Sequence, residues 1–308
     1  MKKKFSFLIC SILWVLLVSG CQQNLTKPDY DENTKNTVDY TPEEVAQEES
    51  DEKLAVTFID VGQGDAILIK QGQEACMIDT GLYYEYDSVK EELQRQDIYT
   101  LKYLFLTHPD ADHIGSADLI IENFDVKNVV MPNVKSDSKT YSYLEKAIGT
   151  YAVPVIYPET GNTYEIGESS IMCVAPKKIT DNKNADSLIL KLTYDNTGFL
   201  FLGDAPGQET DQVTDDISAD VVKLAHHGSA QDEANSYELL QKIHPEYAVV
   251  SCGKENMYGH PHKETMDILQ NLQVKLYRTD MQGSITSYSD GNTITWNKEM
   301  CTDYSGGK

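Results

Sequence analysis

The sequence predicts an α/β fold, a four-layer αβ/βα sandwich in which two sheets face each other and helices cover their outer faces. Two observations carry this prediction. In the first half of the body, runs of apolar, strand-like residues are followed by helical segments, and the same order returns in the second half. The body, from about 54 to 300, has the length of one large domain of this kind.

The first half of the body opens on short apolar strands. Alternating residues predict a strand over 54–61, and the turn Gly62-Gln63-Gly64-Asp65 leads into the second strand of a hairpin. The spacing of Val89 and Leu93 favours a helix with one apolar face. In chain order the predicted strands are 54–61, 66–70, 74–78, 102–106 and 126–131, and the predicted helices are 88–96, 114–124 and 138–150.

The second half has the same style without a detectable sequence repeat. Its strands are short and apolar, and helical segments lie between them. The predicted strands are 169–175, 187–194, 198–202, 219–225, 247–252, 275–279, 283–289 and 293–296, and the predicted helices are 236–243 and 263–270.

The N-terminus predicts a targeting segment rather than part of the fold. Lysines at 2–4 precede an apolar run over 5–18 that is too short for a comfortable transmembrane helix, and Ser19-Gly20-Cys21 closes it. This order resembles a bacterial lipoprotein lipobox. It implies a signal peptide over 1–20, lipidation of Cys21, and a protein anchored to the cell membrane on its extracytoplasmic face. The alternative is an uncleaved anchor with an incidental cysteine.

Segment 21–53 predicts a flexible acidic tether. From residue 22 it carries ten acidic residues against three lysines and almost no large apolar side chains, so it cannot bury enough surface to fold alone. The chain as a whole has a formal net charge of −23 at pH 7. This charge disfavours non-specific binding to a polyanion, although metal ions can reverse the field locally at a site.

The cysteines do not predict a metal site. Cys76, Cys173 and Cys252 lie in apolar, strand-like runs, and the body contains no CxxC pair. Buried free thiols are therefore favoured over disulfides.

The densest group of chemically active residues is Thr107-His108-Pro109-Asp110-Ala111-Asp112-His113, directly after an apolar strand. Four candidate metal ligands lie within six residues. Desolvated carboxylates and imidazoles need a partner, and a divalent metal is the usual one. For Asp112 alone, a role as helix N-cap is the alternative.

Other polar residues also follow apolar strands, and strand ends on one rim of a sandwich can converge on one site. They are Asp79, Asp204, His226 and His227. A mixture of His and Asp suits zinc, while a carboxylate-rich set also admits manganese or iron. Two nearby positions and an available bridging carboxylate imply a binuclear site.

These segments resemble the metallo-β-lactamase superfamily and, within it, the hydrolase domain of the ComEC DNA-uptake proteins. The resemblance covers nearly all of 54–290. It rests on FIDVGQGDAILI (58–69), IDTG (78–81), THPDADHIGS (107–116), NADSLILKL (184–192), FLGDA (201–205), VVKLAHHGS (221–229) and SCGKENMYGHPH (251–262).

The resemblance implies ligands for a first metal. His108 and Asp110 look like two of them, with Asp110 standing where the wider superfamily has a histidine. The family's middle histidine is absent from 184–187. Asp186 or Asn184 could substitute for it, which makes occupancy of this position the weakest point of the prediction.

The resemblance also implies ligands for a second metal. Asp112 and His113 look like two of them, and Asp204 resembles the carboxylate that bridges both metals. His226 resembles the last histidine ligand. His227 could instead be that ligand, or could contact the substrate.

Several residues would support the site or contact the substrate. In this family Asp79 orders the metal-binding loop from behind the ligands. Lys254, His260 and His262 form a polar loop that could contact a substrate phosphate or deliver a proton to the leaving group. A structural turn is the alternative for this loop.

The resemblance implies a metal-dependent hydrolase in which a metal-activated hydroxide attacks a phosphodiester of DNA or of a cell-wall polymer. Asp112, Asp204 and His227 are the expected catalytic residues, and two divalent ions, Zn²⁺ or alternatively Mn²⁺, are the expected cofactors. Because the body is acidic, a smaller substrate or a partner is an alternative. Two other functions compete: hydrolysis of a lactam, lactone or thioester, and a non-catalytic surface binding module.

Overall fold

The computed structural model describes residues 53–180, 182–211, 213 and 216–307. The predicted signal peptide, Cys21 and nearly all of the predicted tether lie outside the described residues, so these assignments stay predictions. Within the described ranges, no helix combines the length and the apolar character that a membrane crossing requires.

In both halves of the body, runs of strands are followed by helices. In chain order the strands are β1 Leu54–Phe58, β2 Ile67–Gln71, β3 Glu74–Ile78, β4 Thr100–Leu101, β5 Tyr103–Phe105, β6 Asp125–Val126, β7 Val129–Val130, β8 Val155–Ile156, β9 Thr163–Ile166, β10 Ser169–Ala175, β11 Ile189–Tyr194, β12 Thr197–Phe201, β13 Val221–Lys223, β14 Tyr247–Val250, β15 Lys275–Arg278, β16 Ile285–Ser289 and β17 Ile294–Trp296. The α-helices are α1 Tyr86–Arg95, α2 Ala111–Ile114, α3 Ala117–Asn123, α4 Lys139–Tyr151, α5 Gly207–Asp211, α6 Tyr237–Ile243, α7 Lys263–Asn271 and α8 Thr279–Gln282, and 3-10 turns lie at Tyr83–Glu85, Ala225–Gly228 and Gln231–Glu233.

The strands form two large sheets. The first has the order β17-β16-β1-β2-β3-β5-β7-β8, and the second has the order β15-β14-β13-β12-β11-β10-β9. In the first sheet β3, β5, β7 and β8 pair in parallel, and in the second β12 to β15 do so. Loops that follow neighbouring parallel strands leave from the same edge of a sheet, and this geometry gathers the candidate ligands.

Three apolar clusters separate the layers and confirm the four-layer αβ/βα sandwich. The middle cluster packs the two sheets together and includes Phe58 and Phe105 of the first sheet and Phe201 of the second. One outer cluster packs α1, α3 and α4 on the first sheet, and the other packs α6 and α7 on the second. Alternate residues of several strands therefore serve different cores, which explains their nearly continuous burial.

The predicted helix over 114–124 is two helices in the structure, α2 and α3. The first helix ends at Ile114 and the second begins at Ala117. Gly115 lies between them, in close contact with the neighbouring backbone: a Cβ atom there would lie 2.4 Å from Ala111 O and 2.6 Å from Gly81 O. The predicted strand over 126–131 is also divided, because Asp125–Val126 pairs with β4 while Val129–Val130 joins the first sheet. Strands β8 and β9 lack a sequence prediction; β8 has only two residues and β9 is an edge strand.

Candidate metal centre

The candidate ligands converge where strands of the two sheets end. Asp79 follows β3, the segment 107–113 follows β5, Asp204 follows β12, and His226 and His227 follow β13. Since β3 pairs with β5 and β12 pairs with β13 in parallel, each sheet presents two of these loops side by side. The Leu188 N–H donates to Thr107 O at 2.9 Å across the two sheets and joins their rims beside the site.

Asp79 holds the metal-binding loop from behind. Its carboxylate accepts hydrogen bonds from Thr107 N at 2.7 Å, from Thr107 Oγ1 at 2.6 Å and from His113 Nδ1 at 2.7 Å. The Thr107 hydroxyl also lies 3.1 Å from His108 Nδ1. With both Nδ1 atoms engaged, the Nε2 lone pairs of His108 and His113 are available to a metal ion.

Asp204 lies between two pairs of imidazoles. Its Oδ1 is 3.2 Å from His113 Nε2 and 3.9 Å from His227 Nε2. Its Oδ2 is 3.7 Å from both His108 Nε2 and His226 Nε2. Each carboxylate oxygen therefore faces its own pair of histidines, one pair on each side of the aspartate.

The buried atoms of this cluster fit a divalent cation. Within the described part of the chain, His108 Nε2, His113 Nε2 and Asp204 Oδ1 have no hydrogen-bond partner. One ligand atom from each of these three residues lies within 4.8 Å of the other two. Leaving three buried polar atoms unsatisfied costs about 1–3 kcal/mol each, and divalent cations bound in this cluster would satisfy them.

Asp112 and His227 complete a second group around His113, again with ligand atoms within 4.8 Å of one another. Asp112 Oδ2 lies 3.2 Å from His227 Nε2, and His227 Nδ1 lies 3.0 Å from the carbonyl oxygen of Ser251. The carbonyl can only accept, so Nδ1 carries the proton and Nε2 faces the site. Asp112 lies inside α2, whose N-cap is Asp110, so the structure does not support the N-cap alternative for Asp112.

An unusual turn sends the two adjacent histidines to different sides of Asp204. His226 and His227 have φ values of 48° and 56°, in the left-handed region that non-glycine residues rarely occupy. The Asn235 side chain accepts from Ala225 N at 3.0 Å and donates to Ala225 O and Ser229 O at 2.9 and 2.7 Å. Such backbone strain, of about 1–3 kcal/mol per residue, persists where the surroundings enforce it and is typical of functional sites.

The electrostatics of the site differ from one imidazole to the next. Burial opposes a charge on His227, yet Asp204, Asp112 and Asp65 raise its pKa to about 9. Asp204 and Asp79 likewise overcome burial and hold the pKa of His113 well above its usual range. Burial and the neighbouring His113 instead lower the pKa of His108.

The carboxylates respond in the opposite direction. Burial favours the neutral acid at Asp204 and Asp112, but His113 and His227 outweigh it and lower the pKa of both groups. Both residues are therefore carboxylates at neutral pH, the form that binds a metal ion.

Asp110 occupies the exposed side of the cluster. Its Oδ2 lies 3.8 Å from His108 Nε2, and its Oδ1 lies 3.0 Å from Lys183 Nζ. Asp186, a candidate for the missing histidine, accepts hydrogen bonds from Thr180 N and Oγ1 at 2.6 and 2.9 Å. Asn184 donates its backbone N–H to Asn182 Oδ1. Neither residue belongs to the ligand clusters around His113, and a metal-binding role for either stays a prediction.

The loop 253–262 brings one of its polar residues to the site. The buried His260 ring lies 5.4 Å from the His226 ring and 6.0 Å from the His227 ring, measured between centroids. Burial and these two histidines lower the pKa of His260 to about 3, so it is neutral at pH 7. His262 instead accepts a hydrogen bond from Ala230 N at 2.9 Å, and the Lys254 side chain is exposed.

Sequence reasoning missed four residues whose side chains contact the ligands or their supports. They are Asp65, Thr107, Lys183 and Lys223. Lys223 offered a signal, because a single lysine inside the apolar run Val221-Val222-Lys223-Leu224 needs a buried acidic partner. Lys183 offered none, since an exposed lysine in a polar loop is ordinary.

Comparison of the sequence with known protein families gives a match. A model of the Metallo-beta-lactamase superfamily matches residues 59–252. The chain belongs to the metallo-β-lactamase superfamily. It is accordingly a metal-dependent hydrolase by family, and the fold implies divalent metal ions at the cluster around Asp204.

The similar curated proteins confirm the predicted resemblance to ComEC-type competence proteins. ComE operon protein 3 of Bacillus subtilis (strain 168) is 30% identical over 253 residues, which cover 75% of this chain and 32% of that protein. Competence protein ComA of Neisseria gonorrhoeae is 27% identical, over 80% of this chain and 33% of that protein. The chain thus spans about a third of the length of these relatives.

Solved structures support the fold alone. The metallo-β-lactamase fold protein YhfI from Bacillus subtilis superposes with a TM-score of 0.51 at 10% identity, covering 79% of this chain and all of that protein.

Proposed function

We propose that this protein is a phosphodiesterase that uses two divalent metal ions and is anchored by a lipid on Cys21 to the extracytoplasmic face of the cell membrane. The observation that carries the catalytic part is the position of Asp204, whose two oxygens each face a separate pair of imidazole nitrogens. A carboxylate in this position can bridge two ions.

The distances from Asp204 to the surrounding imidazoles support ligands on both of its sides. Metal–ligand bonds of about 2.0–2.1 Å in a tetrahedral site place ligand atoms roughly 3.4 Å apart. The contacts around Asp204 range from 3.2 to 3.9 Å, which is this spacing. We assign His108, Asp110 and His226 to a first metal position, Asp112, His113 and His227 to a second metal position, and Asp204 to both.

In this assignment His226 takes over the part of the absent middle histidine. His226 Nε2 faces the same Asp204 oxygen as His108 does, at the same 3.7 Å. The neighbouring His227 faces Asp112 on the other side. The His226-His227 pair therefore contributes one ligand to each metal position. On the sequence alone, only one of the two histidines at a time is predicted to be a ligand.

The chain's own residues prepare the site for a phosphoryl group. When bound, two divalent cations supply a water of lowered pKa and a clamp for the oxygens of an in-line displacement. Asp79 and the Ser251 carbonyl hold the protons of His113 and His227 away from the metal positions. His260, neutral beside His226, is placed to hydrogen-bond a substrate or leaving-group oxygen.

Three considerations favour a phosphodiester such as DNA or a cell-wall polymer. The ligand set is rich in carboxylates, which also suits Mn²⁺, and a two-metal centre suits displacement at phosphorus. One of the relatives described above is named a competence protein, which points to nucleic acid. The net charge of −23 requires the metal ions, rather than the protein surface, to attract a polyanion.

Hydrolysis of two chromogenic substrates by the full chain tests this proposal. With Zn²⁺ or Mn²⁺ added, we expect hydrolysis of bis-p-nitrophenyl phosphate and none of the lactam nitrocefin. Asp204→Ala should reduce phosphodiester hydrolysis to background because both metal positions lose a ligand. Asp118→Ala, an acidic residue of α3 outside the ligand set, is the control and should keep activity.

Each contrary result favours a different function. Hydrolysis of nitrocefin without phosphodiester hydrolysis would select the lactam, lactone or thioester alternative. Full activity of Asp204→Ala would exclude the bridged two-metal centre. Protein that neither binds metal nor hydrolyses any substrate would be a binding module.

A further inference from the structure

We propose that Asp65 and Lys223 form a buried positioning pair that holds Asp112 and His227 at the second metal position. The inference builds on the metal centre of the proposed function and adds two residues that lie outside the two ligand sets assigned above. It assigns them a purpose other than general stability.

Lys223 is the one charged residue of strand β13, which is otherwise apolar. Its Nζ lies 2.8 Å from both oxygens of the Asp65 carboxylate and donates to Leu224 O at 3.0 Å. The Lys223 side chain is 0% exposed and that of Asp65 is 3% exposed. Because the desolvation cost of a buried ion pair largely cancels its attraction, such a pair is weak evidence for stability and calls for another explanation.

The other contacts of Asp65 lead to the metal centre. Its backbone N–H donates to Asp112 O at 3.2 Å, and its own carbonyl accepts from Gly81 N at 2.8 Å, two residues after Asp79. Its Oδ1 lies 3.5 Å from His227 Nδ1. Asp65 thus touches a ligand of the second position through its backbone and another through its side chain.

Gly64 shows how closely this segment is pressed against the ligand loop. A Cβ atom at Gly64, where φ is +146°, would lie 2.4 Å from Asp112 O. Only glycine permits this approach. The backbone of 64–65 therefore packs directly against the Asp112 carbonyl and limits the position of the Asp112 backbone on that side.

The pair also defines the orientation of the His227 ring. Nδ1 donates to Ser251 O at 3.0 Å with the Asp65 carboxylate close behind, which leaves Nε2 as the metal ligand. A negative group behind an imidazole makes it a stronger and better oriented ligand, as Asp79 does for His113. Lys223 fixes the Asp65 carboxylate and compensates its charge, so that Asp65 can lie near Asp112 without an unpaired buried charge.

A purely structural pair would make a different prediction from a positioning pair. Asp65 belongs to the first sheet's hairpin and Lys223 to the second sheet, so the pair also ties the two sheets together. Removing one partner leaves a buried charge and destabilises the protein in either case. Removing both partners restores an uncharged interior, and only the positioning role then leaves a defect in metal binding.

The experiment is a titration of the metal-free full chain with Zn²⁺ by calorimetry, beside thermal unfolding in chelator. We expect Asp65→Asn and Lys223→Met to lower both stability and metal affinity. The double variant Asp65→Asn/Lys223→Met should regain most of the stability lost by the single variants. It should nevertheless bind the more tightly bound of the two Zn²⁺ ions about 10–100-fold more weakly. Wild-type affinity in the folded double variant would overturn the proposal.

Two additions keep the result interpretable. Arg278→Met/Asp280→Asn removes another buried pair, 2.8 Å apart, and should leave Zn²⁺ affinity unchanged. If the double variant does not fold, the nearly isosteric Asp65→Asn alone decides, since unchanged affinity in that folded variant would also contradict a positioning role. Because the readout is metal binding, absence of phosphodiesterase activity in the wild type would refute the proposed function and leave this test intact.

Discussion

The two sides of Asp204 differ in how firmly the protein holds its ligands. At the second metal position His113 and His227 are buried, and each has its Nδ1 bonded, to the Asp79 carboxylate and to the Ser251 carbonyl. At the first metal position Asp110 and His226 are 39% and 31% exposed. Within the described residues, the His226 ring makes no hydrogen bond. On the proposed assignment, the second position is therefore the better ordered of the two, because two of its imidazoles are buried and hydrogen-bonded at Nδ1, and the first would order further around its ion.

On the proposed assignment, this difference would allow a site without the family's middle histidine to hold two ions. The ligands of the second metal position hold the Asp204 carboxylate in place. Asp204 then presents its other charged oxygen to the first metal position. His108 is held by Thr107, which Asp79 holds in turn, so one ligand of the first position shares the support of the second. We infer that the second position fills first and that the first fills at higher metal concentration.

The largest expected effect comes from replacing the two adjacent histidines one at a time. His227→Ala removes a buried, oriented ligand of the second position, so high-affinity binding should disappear and the stoichiometry should fall below one ion per chain. His226→Ala removes an exposed ligand of the first position, so one tightly bound ion should remain. Metal analysis after gel filtration of the full chain measures both.

Either variant can break the comparison. Loss of the tight ion in His226→Ala but not in His227→Ala would exchange the assignments of the two histidines. His244→Ala is the control, because His244 lies at the end of α6, outside both positions, and its replacement should leave two ions bound.

A smaller expected effect is the dependence of stability on pH. It distinguishes the two metal positions because His227 binds a proton in the metal-free protein at neutral pH and His108 does not. The pKa of His227 is raised to about 9, so in metal-free protein its protonated form stabilises the fold fully below pH 6.5, and this contribution is lost as the pH rises through about 9. Burial and His113 lower the pKa of His108, so His108 adds no loss of stability as the pH rises through this range. A metal ion at the second position replaces the proton and should remove the dependence.

Denaturant midpoints between pH 6 and 9.5, in chelator and in Zn²⁺, measure this effect. We expect stability in chelator to fall across the range relative to stability in Zn²⁺, and His227→Ala in chelator to give a flatter curve. Parallel curves for the wild type and His227→Ala would show that His227 carries no such proton.

The sequence predicts the fold and the ligand loops well because both depend on local patterns. Apolar runs ending in polar residues located Asp79, Asp204 and the segment 107–113, and parallel pairing then required them to meet. Residues whose role depends on a distant partner could not be found this way. Asp65 was assigned to a turn, and only the two sheets packed together show that it meets Lys223, 158 positions away.

The division of labour between His226 and His227 was also beyond sequence reasoning. In an ordinary strand or helix, the side chains of neighbouring residues point in different directions. The adjacency of His226 and His227 in the sequence therefore did not show which imidazole faces the metal positions. The left-handed φ values of both residues, enforced by Asn235, decide which atom of Asp204 each imidazole meets. The contact between Lys183 and Asp110 was likewise beyond sequence reasoning, because Lys183 is an exposed side chain without a sequence signal.

The smallest expected effect sharpens the comparison at this lysine. Lys183 Nζ lies 3.0 Å from Asp110 Oδ1, so its ammonium competes with a cation for the same carboxylate. The two side chains are 42% and 39% exposed, and exposed pairs contribute about 0.2–1 kcal/mol, which corresponds to a factor of about 1.4 to 5 in affinity. Lys183→Ala should therefore raise the affinity of the weaker ion by about that factor and leave the tighter ion unchanged. Lys178→Ala, an exposed lysine nearby in the chain, should alter neither, and weaker binding in Lys183→Ala would mean that the lysine orders Asp110 for the metal instead of competing with it.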